Sequence, residues 1–434
     1  MIPFDIGLVA LAAMVMLVIA GLYVPIALMV CSFVGVWAIK GSPVLASKLL
    51  GLAAYNTIAS YYFGVVPLFV LMGFLVAEAG IGRDAYDVAS AAFKRLRGGL
   101  GVGTVGANAI FAAITGISIA SAAIFTKIAV PEMVRHGYTA RFAVGIVAGS
   151  SVLGMLIPPS LLLILYGVLT EQSIGDLFIA GVLPGLLLAF LFGVGVVAMT
   201  VLVPHFTGTP DDAAVPKFTA GQIFAKAVPI ALLIGLVLGG IYGGLFTPVE
   251  AGAVGAIGAL VLGLAKGTPP LKSLWNVLVE TGLVTASVCF LIIAAQMYSR
   301  MLAYSGVPAG FGSLVAGADI GLWGVLLAYV AVVIVMGMIL DSSSILLILV
   351  PLMLPVLAPF SVDLIWFGIV TIIAVEIGLL TPPFGISVYV IKSVIDDETV
   401  TLGQIFAGAA PFALLMLVVL GLVLMFPLLA TALI

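Results

Sequence analysis

The chain has 434 residues, of which 64% are hydrophobic and only 8% charged, with a mean hydropathy of +1.40. A soluble domain carries about a quarter charged residues, so a water-soluble fold is excluded and an all-α polytopic membrane protein is expected. The net charge of −3 contains no Lys/Arg block, which excludes nucleic-acid binding. Cys31 and Cys289 lie in apolar segments and supply neither a disulfide framework nor a thiolate metal site.

In chain order, the N-terminus lacks a basic region and runs on as apolar sequence, so it reads as a first span and not as a cleaved signal peptide. Crossings are expected near 6–20, 24–39, 64–80, 139–170 and 176–203. Residues 45–63 and 83–97 read as amphipathic helices along the interface, the latter equally as a solvated cytoplasmic helix. The apolar stretch 98–134 has a small, polar centre from Thr115 to Ser121. Arg83, Lys94, Arg95 and Arg97 precede it, and Arg135 and Arg141 follow. Basic residues favour cytoplasmic flanks, so this stretch is expected to be a helical hairpin that enters and leaves on one side. The segment 139–170 is expected to be a broken helix, because Gly149 to Ser160 holds two Gly, three Ser and the pair Pro158-Pro159. A hydrophilic linker, 204–222, then falls near the midpoint.

The punctuation recurs beyond the linker. Gly21-Leu-Tyr-Val-Pro25 returns as Gly244-Leu-Phe-Thr-Pro248, Gly116 to Ser121 loosely as Gly337 to Ser342, the paired prolines as Pro382-Pro383, and Ile179-Ala-Gly as Phe406-Ala-Gly. Four matches in one order at nearly one offset identify a duplication. Residues 1–203 form the first repeat and 223–434 the second, with a hairpin at about 321–357 and a broken helix at about 363–395. Asp319 and Asp363, and no nearby Lys or Arg, flank the second hairpin. It should enter from the external side, and an odd number of crossings per half inverts the second copy. The resulting N-out chain puts Lys217, Lys226, Lys266 and Lys272 in the cytoplasm, but leaves Lys40 and Lys48 on the wrong side.

An inverted repeat with interrupted helices points to a secondary transporter. Unwound chain is tolerated at membrane depth only inside protein or along a cavity. Its freed carbonyls suit a small hard cation, and its freed N–H groups suit a carboxylate. Ser118 and Ser121 could present hydroxyls from the first tip. Asp341, followed by Ser342, Ser343 and Ser344, stands at the second, where it ligates a cation, caps the returning helix, or does both. Glu376 is either a second candidate ligand or a residue on a helix face touching water. Glu250 after Pro248 marks a helix start. Arg300 reads as snorkelling to an interface, and Lys127 as structurally paired, with anion attraction the lesser reading. Gly252, Gly255 and Gly258, like Gly99, Gly101 and Gly103, permit close helix packing. His136 and His205 form no metal cluster. The chain has no phosphate-binding G-x-x-x-x-G-K-[ST] loop, no H-E-x-x-H helix and no arguable serine–histidine pair, so it does not read as an enzyme.

The segments FAAITGISIASAAIFTKIAVPEM (111–133), GSSVLGMLIPPSLLLILYG (149–167), GGIYGGLFTPVEAGAV (239–254), DSSSILLILVPLMLPV (341–356) and EIGLLTPPFG (376–385) resemble the large, DctM-type membrane subunit of tripartite ATP-independent periplasmic (TRAP) transporters. The resemblance implies sodium-coupled uptake of an organic acid, a C4-dicarboxylate or sugar acid, with an elevator-like motion in a bacterial inner membrane. It implies a separate small four-helix membrane subunit and a periplasmic substrate-binding protein as partners, and no cofactor beyond coupling sodium ions. Carried over by position, the first cation site takes Ser118, Ser121, Gly149, Ser150 and Pro158, and the second Asp341, Ser342, Ser343, Gly378 and Thr381. Substrate would meet Ser118, Ser160, Ser343 and Pro383. The chain departs from the family at Ile119 and Ala120, where relatives are rich in Gly and Ser, and at Val375 and Glu376, near which relatives commonly carry an asparagine. A stand-alone ion- or proton-coupled carboxylate carrier is the alternative, and a membrane-embedded hydrolase the remote one.

Overall fold

The computed structural model describes residues 2–209, 218–267, 271–317, 321–383, 385–395, 397 and 399–434. Among them the only β feature is an isolated bridge between Tyr138 and Gly208, and the rest of the regular structure is helical. The chain opens with α1 (Pro3–Ile19), α2 (Val24–Lys40), α3 (Pro43–Ile58), α4 (Val65–Glu78) and α5 (Ile81–Phe93). Next come α6 (Gly99–Thr115), α7 (Ser118–Arg135), α8 (Ala140–Ser151), α9 (Leu153–Leu156), α10 (Leu161–Thr170), α11 (Ile174–Leu202) and α12 (Pro204–Thr207). The remainder holds α13 (Ala220–Tyr242), α14 (Pro248–Ala265), α15 (Leu271–Ser305), α16 (Val307–Gly317) and α17 (Leu322–Gly337). It closes with α18 (Ser342–Leu357), α19 (Leu364–Leu379), α20 (Ile386–Val394), α21 (Leu402–Met425) and α22 (Leu428–Thr431). Of the expected linker, residues 210–217 lie outside the described residues, and α13 begins inside its last part.

Eight helices among the described residues are long and apolar enough to cross a membrane, counting 140–170 through its break. The helix starts recur as the sequence punctuation does. Val24 and Pro248, Ser118 and Ser342, Ala140 and Leu364, and Pro204 and Leu428 are each 224 positions apart (364 − 140, for example). The correspondence fails most plainly at α3 and α4, which, separated by a short 3₁₀ turn at Tyr61–Gly64, stand where the second half has the single 35-residue α15.

Helix ends follow the local chemistry. Thr247 caps α14, with the Glu250 side chain accepting from the Thr247 N–H at 2.8 Å, so Glu250 does mark a helix start. Small residues set the crossings, as expected: a Cβ on Gly255 would meet the Val237 side chain at 2.8 Å, and one on Gly103 the Ser90 backbone at 2.8 Å. The tightest crossing joins α8 to α21, where a Cβ on Gly408 would run into the Arg141 carbonyl and stand 3.0 Å from Gly145 Cα.

Helix α5 ends at Phe93, shorter than the stretch 83–97 suggested. Its acids are not turned to lipid or water: Lys226 pairs with Asp87 and with Asp84 at 3.3 Å, and Lys266 pairs with Asp84 and donates to the Ala79 carbonyl at 3.1 Å. The basic residues around α5 therefore share one end of the molecule with Lys226 and Lys266. Lys127, by contrast, is exposed and in none of the ion pairs among the described residues, which corrects the expectation of a structural pairing. It borders a mixed-charge pocket with Arg83, Glu132 and Arg135.

Candidate functional site

The interrupted segment 140–170 is the most enclosed span of the molecule, with 94% of its most apolar window buried, against 22–56% for the other seven. That resolves the cost of its prolines: the freed backbone groups lie inside protein and away from lipid. Helix α8 ends at Ser151, α9 adds one turn, and Ile157 is extended ahead of the cis Pro158–Pro159 bond. Ser160 then caps α10, accepting from the Leu163 N–H at 3.3 Å and donating to the Met155 carbonyl at 2.5 Å. One serine thus joins the two sides of the break.

The α6–α7 tip docks on this break through backbone. Gly116, at φ +64°, accepts from the Leu161 N–H at 3.1 Å, and a side chain there would strike the Pro159 carbonyl. A Cβ on Gly154 would meet the Ser118 nitrogen at 3.1 Å. Beside the tip, Asn108 of α6 is a hub: its amide donates to Ser150 Oγ at 2.8 Å and accepts from Ser121 Oγ at 2.6 Å. Three elements are tied in the dry interior by one residue. Ser118 Oγ, fully buried at the tip, has no hydrogen-bond partner.

The second tip and break meet in a related way. Asp341 is the N-cap of α18, accepting from the Ser344 N–H at 3.0 Å and from the Ser344 hydroxyl. Ser342 Oγ donates to Glu376 Oε1 at 3.1 Å. Glu376 is 1% exposed, so it belongs to the interior and not to a water-facing helix surface, and its Oε2 has no partner. A Cβ on Gly378 would stand 2.5 Å from Gly337 Cα, which brings α19 against the end of α17. Thr381 returns its hydroxyl to the Ile377 carbonyl at 2.7 Å, and Gly385, at φ +48°, opens α20 after the cis Pro382–Pro383 bond. Ser387 Oγ, also fully buried, lacks a partner.

Of the residues singled out from sequence, Ser118, Ser121, Ser150, Pro158 and Ser160 gather around the first tip and break, and Asp341, Ser342 and Gly378 around the second. Ser343 and Thr381 are half-buried there, whereas Pro383 is exposed. Gly149 faces the Phe412 ring of α21. Asn108 was missed: a lone Asn in an apolar helix is the only signal, and its partners stand 13 and 42 residues away. Also missed was a polar cavity of about 550 Å³ lined by Asn56, Ser60, Glu171, Gln172, Gln296 and Arg300. Arg300 lines this cavity.

The arrangement gathers hydroxyl and carboxylate oxygens at helix ends, with no grouping of His, Cys, Asp or Glu suited to a metal centre among the described residues. A crystal structure of the Alcanivorax borkumensis YdaH transporter superposes with a TM-score of 0.58 at 16% identity, covering 88% of this chain and 89% of that one, a likeness of fold. The C4-dicarboxylate TRAP transporter large permease protein DctM of Pseudomonas aeruginosa is 35% identical over 89% of each chain. The ectoine TRAP transporter large permease protein TeaC of Halomonas elongata is 27% identical over 96% of each. The sialic acid TRAP transporter permease protein SiaT of Haemophilus influenzae is 31% identical over 83% of this chain and 58% of its own length. Residues 11–429 match the DctM component of the tripartite ATP-independent periplasmic transporters, and the chain belongs to that family of transport permeases, which are not enzymes.

Proposed function

We propose that this permease takes up an organic acid by sodium symport across the bacterial inner membrane, beside a small membrane subunit and fed by a periplasmic binding protein. The observation that carries the coupling is the pair of tip-and-break units, each ending in a buried oxygen without a partner: Ser118 Oγ in one and Glu376 Oε2 in the other. Buried polar atoms are normally satisfied, and oxygens beside freed carbonyls suit a hard cation. Two such units in duplicated halves support an inverted repeat whose breaks bind ions from opposite sides. The relatives' names span C4-dicarboxylate, sialic acid and ectoine; the DctM relative from Pseudomonas makes a C4-dicarboxylate the first solute to try.

In proteoliposomes holding both membrane subunits and the binding protein, uptake should require an inward sodium gradient. Equal uptake in sodium-free buffer at fixed voltage would remove the coupling. Asp341→Ala should lose sodium dependence while the protein still folds, because an N-cap is worth only about 1 kcal/mol. Wild-type sodium dependence in that variant would leave Asp341 with capping alone.

Among the described residues Arg300 is the one Lys or Arg lining the polar cavity, and guanidinium is the side chain best shaped for a carboxylate. Arg300→Gln should raise the KM for a dicarboxylate roughly tenfold, the scale of a lost charge-assisted hydrogen bond of about 1.5 kcal/mol. An unchanged KM would take the solute path away from this cavity.

A further inference from the structure

A long cavity lies outside both units. It is a groove of about 710 Å³ between α6 and α11, walled entirely by apolar residues, among them Val102, Phe190, Gly193 and Leu202. From Ala189 to Leu202 its α11 wall runs about 20 Å at 1.5 Å per residue. The two helices lie antiparallel along it: a Cβ on Gly193 would meet Val102 at 3.7 Å, and one on Gly98 would meet Thr200 at 2.8 Å. The loop between α5 and α6 therefore sits at the Leu202 end.

That loop carries the charge. Phe93 and Leu96 line the groove, and the residues beside them, Lys94, Arg95 and Arg97, are exposed and in none of the ion pairs among the described residues. Three cations thus crowd one mouth of a long, dry, open-sided channel.

We propose that this groove binds one anionic phospholipid, with an acyl chain along α11 and the phosphate at Lys94, Arg95 and Arg97. An acyl chain matches the length and apolarity of the walls. A zwitterionic lipid or a detergent matches the walls but leaves the three cations unneutralised. A helix of a partner subunit would have to bring acids to this same end.

Native mass spectrometry of the full chain with its small subunit tests the assignment, using phosphatidylglycerol and phosphatidylcholine as probes. Wild type should retain one phosphatidylglycerol with roughly a hundredfold preference, since each basic residue near an anionic lipid surface contributes and the three compound. The triple variant Lys94→Gln, Arg95→Gln, Arg97→Gln should fall below about twofold preference, the loss expected when those three terms are removed. Gly193→Leu, which fills the groove and keeps every charge, should lose the retained lipid. Equal retention of both lipids by wild type, undiminished preference in the triple variant, or no lipid retained once the small subunit is bound would each overturn the proposal. The last result would make the groove a protein–protein contact. Since the triple variant alters only exposed side chains, an unchanged melting temperature separates lost binding from lost folding.

Discussion

Glu376→Gln is expected to reduce the proposed sodium-driven uptake on the order of a hundredfold while leaving the protein at least as heat-stable as wild type. Glu376 is buried, accepts one hydrogen bond, from Ser342, and offers its other oxygen to no protein group. No Lys, Arg or His pairs with it among the described residues. An ionised carboxylate in that position is costly unless something neutralises it. A bound cation does so, and removing one partner of a buried charge pair forfeits about 3–5 kcal/mol. Glutamine keeps the volume and the bond from Ser342, discards the charge, and relieves the ion-free state. Loss of uptake with a retained or raised thermal midpoint would therefore mark an ion ligand. Wild-type uptake and wild-type sodium dependence in Glu376→Gln would reduce it to a buried structural polar group.

The second large effect concerns the crossing of α8 and α21. Gly408→Ala should lower the thermal midpoint of the purified protein and its monodisperse yield, with a destabilisation of about 2–3 kcal/mol, the upper range for overpacking. The added methyl meets the Arg141 carbonyl and the Gly145 backbone, which cannot turn aside as a flexible side chain would. Gly421, on the same helix, has nothing within 4 Å of a built Cβ, and Gly421→Ala serves as the control expected to behave as wild type. Equal midpoints for the two variants would mean that the crossing has room to slide. Because Phe412, one turn along α21, packs against Gly149, a displaced α21 would also disturb the first break.

Much of this was legible in the sequence. Gly, Pro and Ser are rare choices for apolar helices, so their clusters at 149–160 and 376–387 marked the breaks, and their recurrence marked the duplication. The Thr247-Pro-Val-Glu250 signature gave its helix start for the same local reason. Asn108 stayed hidden because its meaning lies in partners that only folding brings near. Lys127 was misread because apolar neighbours in sequence do not reveal an open, charged pocket beside the helix. The fate of Glu376 depended on how α19 sits against α17 and α18, which is set by the close approach of Gly337 and Gly378. Periodicity along one helix carries no record of such an approach.

The undivided α15 also serves as a ruler. Ser273, near its start, donates to Glu78, which adjoins the end of the molecule where Lys226 and Lys266 meet the acids of α5. Arg300 comes 27 residues later, about 40 Å along a helix rising 1.5 Å per residue, a distance that matches the full thickness of a bilayer with its headgroups, about 40–45 Å. The polar cavity that Arg300 lines therefore lies toward the far end of α15 from the basic cluster, about one bilayer's thickness away. By the rule that lysines and arginines favour cytoplasmic flanks, the proposed uptake would have this cavity face outward, away from the larger basic cluster.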